Sequence, residues 1–221
     1  MLDDPLRDLI MKSSPQRFWQ EIASRQEALY NEAYSYSFNE GLWEKPEAET
    51  VLPVVRRALF ENVVRQAARV ARVESLDMMH KGDNYPYVLV KCAKLVMTAH
   101  HVPGPCHFVR PAESRKQNAA VNEWLDTWVR QELLIRPLPD LRRSGNVNVL
   151  ILHGQTREKM EGKEISSSFL QLAIPDADLN EYRRIYHVKD LLQSYSQQAV
   201  ADKVDVRVAD RARPAIRRRS K

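Results

Sequence analysis

The sequence predicts an α+β fold, with N-terminal helices packed on a largely antiparallel sheet. Two observations carry this. Apolar residues recur at helical spacing through the first third of the chain. Beyond residue 85 they gather into short runs separated by Pro, Gly and Asn, which suit strands and turns. The expected strands lie near 86–91, 94–102, 147–153 and 165–174, and further helices near 114–130 and 178–200.

Asp4-Pro5 reads as an N-cap followed by proline at the first helical position, opening a short helix through Leu6, Leu9 and Ile10. Ser14-Pro15 repeats the signal and starts a longer helix to about Tyr34, with Trp19, Ile22, Ala23, Leu29, Tyr30, Ala33 and Tyr34 on one side and Gln26 the polar exception among them. From Tyr34 to Phe38 the pattern alternates, which suits an extended segment. Seven of the 17 aromatic residues fall between Phe18 and Trp43. An apolar helical stripe normally faces a core. The sharper alternative is an arm that binds a protein partner or a second copy, anchored by Trp19, Tyr30 and Tyr34.

Lys45-Pro46 breaks the chain, and a second long helix runs from Glu47 or Val51 to Val73. Its expected buried stripe is Val51, Val55, Leu59, Val63, Ala67 and Val70. Arg57, Arg65, Arg69 and Arg72 then fall on an exposed side, with Glu61 paired to Arg57 or Arg65 four residues away.

The most apolar stretch, Tyr85 to Val102, centres the fold. Tyr87 to Val90 and Leu95 to Val102 read as two strands joined by a turn at Lys91-Cys92-Ala93-Lys94, which lacks the usual Gly or Asn. One continuous strand with a bulge is the alternative. Pro103-Gly104-Pro105 turns the chain, and Cys106 to Val109 returns as a short strand. Ser114 and Gln117 form a capping box for the next helix. Val147 to Leu152 and Ile165 to Ile174 are strands on either side of a charged turn around Gly162, and Asp178 to Glu181 resembles a second capping box.

At 43% hydrophobic and 29% charged residues, the 221-residue chain has the composition of a folded domain. No run of about 18 apolar residues provides a transmembrane segment. Two cysteines make no disulfide framework, so a cytoplasmic setting is the expectation. The charge is uneven. Residues 206–221 hold Arg207, Arg211, Arg213, Arg217, Arg218, Arg219 and Lys221 against Asp210 alone. The rest of the chain keeps 27 of the 34 basic and 28 of the 29 acidic side chains, so it is nearly neutral. Three regions follow: an aromatic helical arm over 1–45, an α+β core over 46–205, and a basic tail over 206–221.

Arginine donates paired hydrogen bonds to phosphate and releases counterions, so the tail points to nucleic acid without sequence preference. That makes a non-enzymatic nucleic-acid-binding or regulatory protein the leading expectation. A protein–protein adaptor or inhibitor using the aromatic arm is the second. The third is a metal-dependent hydrolase or nuclease. His100, His101, Cys106 and His107 carry the imidazole and thiolate groups that zinc prefers. Strand alternation opposes this, because adjacent residues face opposite sides. A carboxylate-and-lysine nuclease site also lacks its spacing, since Leu89 stands two positions before Lys91. With six dispersed glycines, no phosphate-binding or dinucleotide-binding loop is present.

Overall fold

The computed structural model describes residues 4–38, 43–79, 85–125, 145–160 and 163–198, with the backbone alone over 157–160 and 163–167. Its elements are α1 (Pro5–Ser13), α2 (Gln16–Phe38), α3 (Lys45–Ala71), β1 (Glu74–Met79), β2 (Pro86–Cys92), β3 (Leu95–His101), α4 (Glu113–Ala119), β4 (Val147–Met160), β5 (Lys163–Pro175) and β6 (Tyr182–His187). A last helix, α5, covers 188–198. The strands form one sheet in sequence order. Every neighbouring pair is antiparallel except β3 and β4, which are parallel. The α+β class therefore holds, with a single parallel step. Parallel neighbours need a long crossover, and α4 lies within it.

The two sheet faces are read off the β3–β4 register, which sets Leu95, Met97, Ala99 and His101 beside Val147, Val149, Ile151 and His153. The first three of each set share an apolar cluster with Phe18, Trp19 and Ile22 of α2, Phe60 and Val64 of α3, and Leu191 of α5. Leu150, Leu152 and Ala173 belong to the opposite face, beneath Val102, Val109 and Ala119. Burying one such side chain contributes roughly 1.5–3 kcal/mol, so the larger helical face supplies most of the stabilisation.

Helices α1 and α2 thus share their core with the sheet, and β6 and α5 pin them there. Asp4 caps α1 by accepting from the Arg7 amide at 3.2 Å, and it also accepts from the Tyr186 hydroxyl at 2.9 Å. Between α1 and α2, the Ser14 hydroxyl donates to the Ile10 carbonyl at 2.7 Å and accepts from the Trp19 indole at 2.8 Å. The Tyr195 hydroxyl of α5 reaches the Ser14 carbonyl at 2.6 Å.

Several local expectations change. Tyr34 to Phe38 continues α2 rather than turning extended. The buried stripe of α3 is Ala48, Leu52, Phe60, Val64, Ala67 and Ala68, with Val63 beside it, so the helix is rotated from its expected setting. Ala112 caps α4 without a side-chain bond, while Gln117 turns to Glu113 inside the helix, so the Ser114 box does not form. Residues 182–187, expected as helix, form β6, and helix begins only at 188. Cys106 to Val109 form no strand. Strand β4 runs on to Met160 and β5 begins at Lys163, so residues 158–160 of the expected charged turn are strand.

Candidate functional site

The two ends of β3 are built differently, and the site lies at the second. From Cys92 opposite Leu95 to Leu89 opposite Thr98, β2 and β3 are paired. Beyond that point Pro86, Tyr87 and Val88 pair with β1 alone, while β3 continues beside β4 to His101. The separation strands a backbone donor, and a buried donor without a partner is costly. Glu61 of α3 supplies the acceptor: its Oε2 takes the Val88 N–H at 2.8 Å. Its other oxygen is buried without a hydrogen-bond partner. Burial raises the Glu61 carboxyl to about 7, against the lowering effects of the Val88 N–H, Arg57 and Arg65.

Glu61 is therefore not the solvated partner of Arg57 or Arg65 that helical spacing suggests. Arg65 instead holds Asp77 of β1 through Nε at 3.0 Å and Nη2 at 2.8 Å. Arg57 lies over the Tyr85 ring, 3.6 Å from its centroid.

Beside Glu61, on the helical face, aromatic rings fill the widened end of the sheet. His153 lies flat on Phe60 with ring centroids 3.6 Å apart, and its Nδ1 shares a 2.9 Å hydrogen bond with the Tyr30 hydroxyl. His101 meets His153 edge-on at 5.4 Å. Arg56 sits over Tyr30 at 5.0 Å and donates to Gln155 at 2.9 Å. Burial holds His153 well below its ordinary value, and nearby imidazoles and arginines push the same way. Burial and Arg56 lower His101 too. Both rings are neutral near pH 7, which suits packing among apolar groups and arginines.

The opening itself is a cleft of about 620 Å³ between the N-terminal half of α3 and the loop after β3. Its lining includes Arg57, Arg110 and Arg115, the rings of Tyr85 and Phe108, and His100, His101 and His107. Among the described residues Asp and Glu are absent from that lining. The loop is held by one hydroxyl: Tyr182 of β6 accepts from the Val109 N–H at 3.0 Å and donates to the His107 carbonyl at 3.1 Å. The Arg110 carbonyl accepts from Arg115 at 2.5 Å, which sets that guanidinium beside the opening. Gly104 lets His107 fold back, since a Cβ there would stand 2.8 Å from the ring's Nδ1.

Of the four proposed metal ligands, His100, His101 and His107 all line the cleft, but they do not close on one point. His100 shares a 2.9 Å bond with Thr98 on the α4 face, whereas His101 packs on His153 on the helical face. Cys106 turns away at φ 61°, its N–H donating to Gln171 at 3.0 Å. Among the described residues no group of three or more His, Cys, Asp or Glu is placed to hold a metal. The physical reason is pleat alternation at 100 and 101, followed by a turn that separates Cys106 from the imidazoles.

Of the aromatic anchors, Trp19 is fully buried and Tyr30 nearly so, both within the core, while Tyr34 is 49% exposed and stacks on Phe38. The tail residues Arg207, Arg211, Arg213, Arg217, Arg218, Arg219 and Lys221 lie outside the described residues. Among the described residues no helix is long and apolar enough to cross a membrane. Sequence reasoning missed Arg110, Arg115, Tyr85 and Phe108 as neighbours of Arg57, because only the separation of β2 from β3 brings them together.

A larger groove of about 810 Å³ runs between α2, β5 and α5, lined by Gln16, Gln20, Gln26 and Gln193 among apolar groups. Its lining carries one charged side chain, Lys189, beside His187, whereas the cleft at the end of β3 gathers three arginines. Compared with models of known protein families, with curated proteins and with solved structures, the chain matches none.

Proposed function

We propose that this protein binds nucleic acid, taking the phosphate backbone into the cleft at the end of β3 and adding charge through its basic C-terminal tail. The observation that carries the reading is the cleft lining, which among the described residues sets Arg57, Arg110 and Arg115 with three histidines and no carboxylate. Guanidinium groups suit phosphate because their N–H groups match two of its oxygens. The tail supports the same reading, with seven basic residues against one acid over 206–221. Protein of this kind would act by holding a polyanion, with no chemical step required.

The test is fluorescence anisotropy with a labelled oligonucleotide across a salt series. Removing Arg57, Arg110 and Arg115 together should weaken binding at least tenfold and lower the salt slope by about one for each phosphate no longer neutralised. Deleting residues 206–221 should lower the slope further. Wild-type protein that fails to bind at low salt, or a triple variant indistinguishable from it, would sink the proposal.

One observation favours a second reading, a protein-binding surface at the end of α2. Tyr34, Tyr36 and Trp43 are each more than 40% exposed, and aromatic residues are enriched at interface hot spots. Replacing Tyr34 and Tyr36 by Ala should then abolish a partner complex while leaving the melting temperature unchanged. A complex that survives the double change rules this surface out.

A further inference from the structure

We infer that the cleft receives one nucleotide of a single strand, with its phosphate among the arginines and its base on Phe108. The inference rests on the nucleic-acid reading and adds the strand type and the groups that select it.

Size comes first. A space of about 620 Å³ falls within the ordinary range of small-molecule pockets, roughly 300–1,000 Å³. A duplex is recognised by an element that protrudes into a groove about 12 Å wide. Here the basic residues line a recess, so a duplex could reach only its rim. A single strand can turn one nucleotide inward.

The aromatic groups then divide the work. Proteins that hold single strands combine a cationic groove with exposed rings on which bases stack. The Tyr85 ring is already covered by Arg57 at 3.6 Å. Phe108 is 37% exposed and lines the cleft, with Tyr182 packed against it at 4.6 Å. Of these two rings Phe108 is the more exposed. Its backbone is anchored on both sides, since Tyr182 bonds the residue before it and the residue after it. A stacking platform held this way loses little freedom on binding. Arg110 and Arg115 follow Phe108 closely in sequence, and Arg57 stands opposite on α3, so arginines stand on both walls of the opening that Phe108 lines.

Apolar walls suit the rest of a nucleotide. Pro53 and Val54 of α3 face Val102, Pro103 and Val109 of the loop. Pro53 lies inside the helix, where it has no N–H to donate, and its ring contributes to the lining. Among the described residues nothing in the lining is negatively charged to repel the phosphate.

The experiment uses the full-length chain and three labelled probes at matched salt: a 12-residue oligo(dT), the same strand paired with oligo(dA), and an unrelated single strand of mixed sequence. Phe108→Ala should weaken both single strands about fivefold or more, the effect of losing one stacked base, and leave the duplex unchanged. Phe108→Trp should bind single strands as well as wild type or better, which separates stacking from a folding defect. Thymidine monophosphate should displace the single strand at lower concentration than inorganic phosphate.

If Phe108→Ala weakens duplex and single strand equally, or Phe108→Trp fails where its fold is intact, the single-strand assignment is overturned while the nucleic-acid reading stands. If phosphate displaces as well as the mononucleotide, the base has no site and the assignment is again overturned. If the Arg57, Arg110 and Arg115 triple variant binds every probe as wild type does, the broader reading fails with it.

Discussion

The two ends of β3 solve the same problem in opposite ways. At the Leu95 end, β3 is bonded on both sides, and Leu95, Met97 and Val147 are fully buried aliphatic groups. The backbone satisfies itself there, so the side chains need only fill space. At the His101 end β2 has departed, and side chains take over its duties. Glu61 meets a stranded amide, and Phe60, His153 and Tyr30 fill the gap. The difference teaches that polar and titratable groups gather where a ladder opens, and that the cleft is a consequence of the opening.

The largest expected effect breaks the packing at the open end. Phe60→Ala removes the ring stacked on His153 and should cost about 3–5 kcal/mol by chemical denaturation. A loss under about 1 kcal/mol would mean that the rings there do not substitute for the missing strand.

The next effect depends on pH and sets Glu61 against His153. The folded value of Glu61 is raised to about 7, so the unfolded chain ionises first. Its favourable effect is complete below the ordinary carboxylate range and is lost as pH climbs to about 7. Glu61→Gln keeps an oxygen for the Val88 N–H and cannot ionise. It should raise stability on the order of 3 kcal/mol at pH 8 and change little at pH 4. His153 has the opposite sign. Its folded value is held down by burial, so stability falls as pH drops below about 6.5, where the unfolded imidazole takes a proton. Thermal melts of both proteins from pH 4 to 8 check the pair. A Glu61→Gln curve parallel to wild type would remove the buried carboxylate from the account.

A smaller effect tests close approach beside the cleft. A Cβ on Gly154 would lie 2.2 Å from the Val102 carbonyl and 2.4 Å from the Phe169 ring. Gly154→Ala must push β4 from the loop, costing about 1–3 kcal/mol and weakening oligonucleotide binding with it. Normal binding by a destabilised variant would separate loop position from affinity.

The smallest effect belongs to the closed end. Ala93, first of the two residues joining β2 to β3, sits at φ 48°, where a Cβ is crowded. Ala93→Gly should raise stability by about 0.5 kcal/mol, the relief of strain being offset partly by chain entropy. A fall in melting temperature would contradict this.

Much of the fold was legible because burial leaves a pattern. Strands β2, β3 and the first half of β4 are apolar runs, and Asp4-Pro5 announces α1. The edge strands were not legible for the converse reason. In β1 five of six residues are exposed, and β6 has one buried residue, so neither carries alternation. The α3 stripe was misplaced because Glu61 looked like a surface residue. Its burial depends on one amide of β2, which helical spacing cannot reveal. His100 and His101 were drawn together by their chemistry, whereas the pleat sets them on opposite faces.

What the chain alone determines is its class, its central apolar strands and the concentration of arginine at its end. These are properties of composition and local period, which need no partner in space. Tertiary structure decides where β2 leaves β3, and with that which arginines share an opening. Arg57 and Arg115 stand 58 positions apart in sequence. They line one cleft because a helix, a splayed strand and a tyrosine-pinned loop meet at the end of Tyr85 to Val102, and that meeting depends on long-range packing.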